Sequence, residues 1–305
     1  MPINNNKNTR YARQSGIALV QVLLISMIIS LLALSFSYTA REQVSTASAL
    51  ENRVSASHLL KSTQSTMLYL LLTQQNQEHL EQLYPSSEPW NVYGEPFLLE
   101  RNEDIEIKVR IQDNAGLLPL QFIKWPFWRV ALENLGVQEQ EAKEFIGRFS
   151  DWQDHDTDSW IVGEQEPLTL DNGFEYRNFP AQLSQEVDLF FEQDHSTLET
   201  IKSISTLYPL AGFKVQNAPN QLLTLLFSTD VAEQIISKRS NDDITKQEIV
   251  GLLNNQYDET YLSFFSADHL TMSIQVKISD VTIQETIEFK FEQYTNNPLT
   301  IFARY

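Results

Sequence analysis

A run of acidic residues after position 150 is the strongest candidate for chemistry in this chain. Six carboxylates fall between positions 151 and 166: Asp151, Asp154, Asp156, Asp158, Glu164 and Glu166. Carboxylates this close repel one another unless a cation or solvent screens them. The spacing Asp154-x-Asp156-x-Asp158 matches positions 1, 3 and 5 of an EF-hand loop. The match then fails, because Ser159 and Gln165 stand where that loop has Gly and Glu.

Hard oxygen ligands without cysteine favour calcium over zinc or copper, and this chain has no Cys. We therefore predict a structural calcium site whose ligands are Asp154, Asp156, Asp158 and Glu164, with Asp151 and Glu166 as second choices. The alternative is an acidic loop that solvent alone screens. Trp152 is expected to lie in the core, and His155 to be a solvent-facing loop residue.

Catalytic motifs are missing from the sequence. The five histidines form no H-E-x-x-H pair, and no G-x-S-x-G, P-loop or G-x-G-x-x-G motif occurs. Carboxylate pairs are weak evidence for a glycosidase in a chain with 40 acidic residues. The sequence therefore predicts a protein that is not an enzyme. The net charge of −18 repels phosphate backbones, so no nucleic-acid partner is expected.

An uncharged apolar segment lies near the N-terminus. Residues 17–36 contain no charge, Gly or Pro, and about 20 such residues span one hydrocarbon core as a helix. Lys7, Arg10 and Arg13 precede the segment without any acid, so the positive-inside rule keeps residues 1–16 in the cytoplasm. The rest of the chain is then expected on the far side of the membrane.

Three interpretations compete for this segment. A cleaved signal peptide has a shorter apolar core than this one, and a plain signal anchor is a second possibility. In the third, a protease at the cytoplasmic face cuts between Gly16 and Ile17 and leaves the span on the mature protein. The third arrangement resembles the class III leader of type IV pilins and of type II secretion pseudopilins.

The rest of the chain alternates between helical and strand patterns. From Ile17 one helix is predicted to continue to the proline cluster at Pro85, with an apolar face through Val44, Leu50, Val54, Met67 and Leu70. Strands are predicted at 105–111, 271–278, 281–291 and 299–302, with a shorter one between 90 and 99. Helices are predicted at 125–135, 139–152, 197–206, 218–227, 229–239 and 245–253.

This order predicts an α+β fold, with a long N-terminal helix packed on an antiparallel sheet and a large all-α domain inserted between strands. The expected divisions are a leader (1–16), a transmembrane and filament helix (17–36), a helix with the first strands (37–115), the inserted helical domain (116–268) and the C-terminal strands (269–305).

Four motifs carry a resemblance to a known family. They are Arg13-Gln-Ser-Gly16 before Ile17-Ala-Leu, Ile111-Gln-Asp-Asn-Ala-Gly-Leu117, Phe149-Ser-Asp-Trp-Gln-Asp-His-Asp156, and Val215-Gln-Asn-Ala-Pro-Asn-Gln-Leu-Leu223. In this order and spacing the chain resembles the K-type minor pseudopilins of the type II secretion pathway. Departures are Leu118-Pro119-Leu120 and the block after Trp160, which aligns only loosely.

The resemblance implies a function and partners. Prepilin peptidase would cut after Gly16, making Gln21 the fifth mature residue, where most pilins have a Glu that K-type proteins lack. The family is known for calcium in its helical domain, near the acidic loop. The chain would be a single-pass inner-membrane protein with a periplasmic C-terminal domain. It would assemble with I- and J-type minor pseudopilins and the major pseudopilin, and it would nucleate and cap the pseudopilus tip. A minor tip pilin of a type IV pilus and a membrane-anchored periplasmic hydrolase remain alternatives.

Overall fold

The computed structural model describes residues 15–73, 77–85, 87–161, 164, 169–170, 173–191, 195–239, 244–253, 258–292 and 295–305. Its first elements are the long helix α1 (Ser15–Leu72) and the short helix α2 (Gln77–Leu83). The prediction of one helix as far as Pro85 is therefore wrong. At the end of α1 the Thr73 hydroxyl donates a hydrogen bond to the Tyr69 carbonyl oxygen at 2.7 Å, which satisfies a terminal carbonyl. The separate α2 buries Leu80 completely.

Most of α1 projects away from the rest of the protein. Within the described residues it is the one helix long and apolar enough to cross a membrane, and none of its most apolar window is buried. Val44, Leu50 and Val54 are also exposed, so the prediction that they pack on the soluble domain is wrong. Full burial in α1 begins only at Ala56, and from there the helix shares one hydrophobic cluster with the strands.

The described residues contain seven strands. They are β1 (Phe97–Arg101), β2 (Ile105–Asp113), β3 (Leu118–Pro119), β4 (Ser205–Thr206), β5 (His269–Ile278), β6 (Val281–Phe291) and β7 (Leu299–Arg304). Five of them form one antiparallel sheet in the order β1-β2-β5-β6-β7. The strands expected from alternating apolar residues are confirmed, and β7 lies at the edge of the sheet as predicted. The chain thus leaves the sheet after β2 and returns beside it in β5.

The two faces of the sheet differ as the period of two requires. Alternate residues of β5 are buried, and Met272, Ile274 and Val276 pack with Leu60 and Met67 of α1 in one hydrophobic cluster. Apolar burial of this kind contributes about 25 cal/mol per Å². The opposite face of β5 presents polar side chains, including Thr271, Ser273 and Gln275.

Between β2 and β5 the described chain forms six α-helices. They are α3 (Pro126–Asn134), α4 (Glu139–Asp151), α5 (His195–Ser203), α6 (Asn220–Leu226), α7 (Thr229–Arg239) and α8 (Lys246–Leu253). Gly136 follows α3 with a φ of 89°. This is the left-handed conformation that a glycine commonly adopts just after a helix, as predicted for this position. The helix expected at 197–206 ends earlier, at Ser203. Residues 205–206 instead form β4, which pairs in parallel with β3. The insertion is therefore not purely α-helical.

The insertion has a hydrophobic core of its own, separate from the cluster beneath the sheet. Phe127, Trp128, Phe145 and Phe149 are buried in it. Aromatic rings dominate the packing, and the Phe145 and Phe191 ring centroids lie 4.2 Å apart. The expected residue limits of the separate domains stay a prediction. A long N-terminal helix on an antiparallel sheet, with added helices, is a pilin-like α+β fold.

Candidate functional site

The acidic loop begins at the C-terminal end of α4 and folds back onto that helix. Asp151, the last residue of α4, is buried, and its Oδ2 accepts a hydrogen bond from the backbone N–H of Trp160 at 2.8 Å. The Trp160 ring lies against Gly147, so closely that a Cβ at position 147 would overlap it. These two contacts close residues 152–160 into a compact loop.

The other side of the loop is held by a buried carboxylate. Trp152 lies in the core, as predicted, and its indole Nε1–H donates to Glu186 Oε2 at 2.7 Å. The other oxygen of Glu186 accepts from Arg177 Nη1 at 2.7 Å and from the backbone of Gln182 and Leu183. Burial alone would raise the pKa of Glu186, but these hydrogen bonds outweigh it and hold the pKa below its usual value. Trp152 is therefore anchored by a charge that is fully hydrogen-bonded.

Three of the predicted ligands, Asp151, Asp154 and Asp156, interact electrostatically within this loop. Burial raises the pKa of Asp154, and the neighbouring charges of Asp156 and Asp151 raise it further. Burial also raises the pKa of Asp151, although the Trp160 N–H and the Lys124 ammonium oppose the shift. Asp154 Oδ1 is buried and has no hydrogen-bond partner. An unpaired carboxylate oxygen beside two acids is suited to accept a cation.

The remaining predicted ligands are placed differently. Asp158 is exposed, and its backbone N–H donates to Asp156 Oδ1 at 2.9 Å in a local turn. Glu164 is exposed, and its carbonyl oxygen accepts from the Ser159 N–H at 3.1 Å. Glu166 lies outside the described residues.

Across the part of the chain that the structure describes, no group of three or more His, Asp or Glu side chains is arranged to hold a metal ion. The loop therefore supplies oxygen ligands of the right kind, with an orphaned oxygen at Asp154, but not a converged set. Asp151, a second choice from the sequence, belongs to the interacting group, whereas Asp158 and Glu164 do not.

The loop is also fastened through polar residues that carry no charge. Gln153 Nε2 donates to the carbonyl oxygen of Leu120 at 2.9 Å, and its Oε1 accepts from the backbone N–H of Ala181 at 3.1 Å. His155 is exposed, as expected, and its Nδ1 lies 2.6 Å from the Asn178 carbonyl oxygen. The Gln153 side chain thus ties the loop to Leu120 and Ala181, and His155 ties it to Asn178.

Two other motifs meet at the junction between the sheet and the insertion. Asp113 is buried at the end of β2, and its Oδ1 accepts from the backbone N–H groups of Ala115 at 2.9 Å and Ala267 at 3.0 Å. Its Oδ2 accepts from Asn217 Nδ2 at 2.6 Å. The Asn217 carbonyl oxygen accepts in turn from Gln112 Nε2 at 2.9 Å. The pairing of Asp113 with Asn217 was not predicted, although both lie in motifs that the sequence singled out.

Gly116 allows this junction to close. A Cβ at Gly116 would overlap the Asn217 carbonyl group, so the two backbones approach as near as only glycine permits. Arg239 of α7 is buried behind the same segment and donates to the carbonyl oxygens of Gln216 and Ala218. Its guanidinium lies over the Tyr93 ring, 3.8 Å from the centroid. The sheet and the insertion are thus joined by buried, hydrogen-bonded groups.

The N-terminal site residues lie at the start of α1. Gly16 is the second residue of the helix, Ile17 is 64% exposed, and the Gln21 side chain is exposed. The bond between Gly16 and Ile17 therefore lies in the first helical turn. Its cleavage stays a prediction.

No protein-family model matches the sequence, and no curated protein matches it. The fold is similar to a solved structure, the crystal structure of the GspK–GspI–GspJ complex from the type 2 secretion system of enterotoxigenic Escherichia coli. The two chains are 15% identical and superpose with a TM-score of 0.50, over 87% of this chain and 98% of the other. At this identity the likeness supports the pilin-like α+β fold.

Proposed function

We propose that this chain is a K-type minor pseudopilin of a type II secretion system. In this role it nucleates and caps the pseudopilus during export of folded proteins across the outer membrane. The observation that carries the proposal is the architecture, in which an exposed apolar stem helix supports a sheet interrupted by a large helical insertion. The fold likeness to a chain from the GspK–GspI–GspJ complex agrees with it. The work of such a protein is assembly and requires no active site.

The stem would be released from its leader by prepilin peptidase and would stay in the inner membrane with its N-terminus toward the cytoplasm. N-terminal sequencing of the mature protein tests this step, and Ile17 is the expected first residue. A Gly16→Val variant should keep the leader, while a Ser15→Ala variant serves as the matched control and is cut normally. Recovery of Met1 at the N-terminus of the wild type in secreting cells would contradict processing.

The position at the tip is supported by the large helical insertion between β2 and β5 and by Gln21. A subunit at the tip has no subunit above it whose terminal amine needs a carboxylate partner, so an uncharged residue suffices at this point of the helix. The insertion would also obstruct a subunit stacked above the sheet. Gold labelling of the insertion on isolated pseudopili should mark one end of each filament, and regular labelling along the shaft would rule out a cap.

The partners would be I- and J-type minor pseudopilins and the major pseudopilin. Val44, Leu50 and Val54 lie on the exposed stem above the membrane segment and have no contact within the chain that buries them. Cysteines placed at these positions should crosslink to helices of the other subunits. The chain has no native Cys, so each crosslink reports a single position. A cysteine at Lys277, on the exposed side of β5, is the control.

Calcium is proposed as a structural ion of the acidic loop, with Asp154, Asp151 and Asp156 in the group that would hold it. Bound calcium would supply positive charge to the orphaned oxygen of Asp154, and the chain's own residues would keep the loop folded against α4. Chelation should lower the midpoint of thermal unfolding by about 3 °C or more. The Asp154→Asn variant should lose this dependence, and Asp280→Asn, at an exposed turn, should keep it. An unchanged midpoint in the wild type would contradict a folding role for calcium.

A further inference from the structure

A cleft of about 540 Å³ lies where the polar face of the sheet passes beneath the helical insertion. Its floor includes Thr271 and Ser273 of β5 and Gln284 and Thr286 of β6, and its roof is the segment 203–208 that contains β4. Volumes of roughly 300–1,000 Å³ are typical of sites for small ligands. The lining also includes Asn114 and Leu117 of the motif at 111–117 and Pro219 and Gln221 of the motif at 215–223.

The floor is built from uncharged groups that form hydrogen bonds. Ser273 Oγ accepts from Gln284 Nε2 at 2.9 Å and from Thr286 Oγ1 at 3.1 Å. The β5 backbone is paired on both sides, so this part of the floor offers no edge to which a peptide strand could add. The β6 backbone is paired with β7 from Ile287 to Phe291, and Thr286 is hydrogen-bonded to Tyr305. Recognition on this floor therefore depends on side-chain hydroxyl and amide groups.

Two acidic residues, Glu95 and Glu288, line the cleft, and Glu288 is already hydrogen-bonded. The two oxygens of Glu288 accept hydrogen bonds from the Tyr208 and Tyr305 hydroxyls, each at 3.0 Å. The Tyr305 pKa is raised to about 12, first by burial and then by the Glu288 charge, so the phenol remains a donor. Both tyrosines line the cleft and add aromatic surface to its polar floor.

Gln112 lines the cleft and has a side-chain oxygen that accepts no hydrogen bond. The residue is only 8% exposed, and its Nε2 donates to the carbonyl oxygens of Asp113 and Asn217. Its Oε1 is buried and has no hydrogen-bond partner. A buried acceptor without a donor costs about 1–3 kcal/mol, so a ligand hydroxyl or amide N–H would relieve a real penalty.

We propose that this cleft binds a short uncharged oligosaccharide. Sugar hydroxyls both donate and accept, which matches the hydroxyl and amide side chains of the floor, the exposed guanidinium of Arg110 and the orphaned oxygen of Gln112. The apolar ring faces of a sugar would pack beside the tyrosines. A peptide fits less well, because the β5 backbone beneath the cleft is already paired on both sides. This proposal does not depend on the role in a filament.

The test uses the full-length chain in a detergent whose headgroup is not a sugar, so that the detergent does not compete. Tetramers of glucose and of N-acetylglucosamine are titrated by calorimetry, with uncharged hexapeptides as the comparison. Binding of a tetrasaccharide with a Kd below about 1 mM is expected. Ser273→Trp should fill the cleft and weaken binding at least about tenfold. Gln275→Trp, two residues further along the same face and outside the cleft, should leave binding unchanged.

Thr286→Val provides a second variant in case Ser273→Trp does not fold, because it removes a hydroxyl at nearly constant volume. It should also weaken binding, by about threefold or more, as expected for the loss of a neutral hydrogen bond. Three results would overturn the proposal. They are no saccharide binding in this range, binding of the hexapeptides instead, or saccharide binding that the variants at Ser273 and Thr286 leave unchanged.

Discussion

Asp113 at the junction is buried and Asp154 in the acidic loop is half-buried, and burial is the first cause of the raised pKa of each. At Asp113 both oxygens accept hydrogen bonds, from two backbone N–H groups and from Asn217. At Asp154 one buried oxygen has no donor, and the charges of Asp156 and Asp151 raise its pKa more than those of Lys124 and His155 lower it. The same residue type therefore lies in two opposite electrostatic settings.

This difference in hydrogen bonding indicates that Asp113 is a structural residue and that Asp154 is a candidate cation ligand. A buried carboxylate with a complete set of donors fixes the backbone around it, and nothing further is needed to explain it. A carboxylate with an orphaned oxygen and two acidic neighbours is stabilised further by protonation or by an added cation. Substitutions at the two places should therefore have opposite effects on stability.

Gly116→Ala should have the largest effect, because its new Cβ would overlap the Asn217 carbonyl and force the junction around Asp113 apart. We expect a loss of about 3 kcal/mol or more in the free energy of unfolding, measured by urea denaturation. Gly251→Ala is the matched control, since that glycine lies within α8 and its Cβ would meet nothing within 4 Å. The control should gain up to about 1 kcal/mol. Equal effects of the two substitutions would show that the junction is not tightly packed.

Asn217→Ala tests the hydrogen bond from Asn217 Nδ2 to Asp113 Oδ2 without moving the backbone. It leaves one oxygen of a buried carboxylate unpaired, and a loss of about 2 kcal/mol is expected. The exposed Asn134 is the comparison, because its side chain donates to the Leu225 carbonyl oxygen at the protein surface. Asn134→Ala should cost less than about 1 kcal/mol. If Asn217→Ala lowers the free energy of unfolding no more than Asn134→Ala does, the proposed contrast between Asp113 and Asp154 is wrong.

Gly147→Ala should displace the Trp160 ring and loosen the loop that carries Asp154. The gain in helix propensity offsets part of the strain, so the expected loss is about 1–2 kcal/mol. Tryptophan fluorescence should shift as Trp160 becomes more exposed. Glu144→Ala, on the exposed side of the same helix, should change neither signal. An unchanged fluorescence spectrum in Gly147→Ala would mean that the loop does not depend on this contact.

Asp154→Asn should have the smallest effect and the opposite sign. Without calcium at neutral pH it should stabilise the protein by about 0.5 kcal/mol, a small value because the loop is partly solvated. The raised pKa of Asp154 means that wild-type stability falls as pH rises from the usual value of 3.8 through the raised value. The gap between variant and wild type should therefore be widest at neutral pH and close near pH 4. A variant less stable than the wild type at neutral pH would contradict the unpaired state of Asp154.

Much of the fold follows from local sequence patterns. Strict alternation predicted β2, β5 and β6, and turn residues predicted the helix end at Gly136, because these signals depend on neighbours along the chain. The end of α1 at Leu72 and the exposure of Val44 were missed. Both depend on where the sheet lies against the helix, and an apolar periodicity cannot reveal this.

The candidate site shows the same limit. The sequence ranked Asp158 and Glu164 above Asp151 as calcium ligands, and this ranking stays a prediction. The structure brings Asp151 close to Asp154 as Trp160 folds back on Gly147 at the end of α4. Such a contact over 13 positions leaves no periodic signal. Gly147, a glycine inside a helical pattern, could have suggested that a bulky side chain such as Trp160 packs against this helix.

The way the insertion leaves the sheet has a consequence for engineering and for evolution. Asp113 and Leu270 are directly paired across β2 and β5, so the chain departs and returns at neighbouring points. A tight reverse turn linking these two residues would close the same sheet as an ordinary hairpin. A different insertion could therefore enter at this point without altering the register of any strand, provided that it replaced the contacts that Asn217 makes with Asp113 and Gly116.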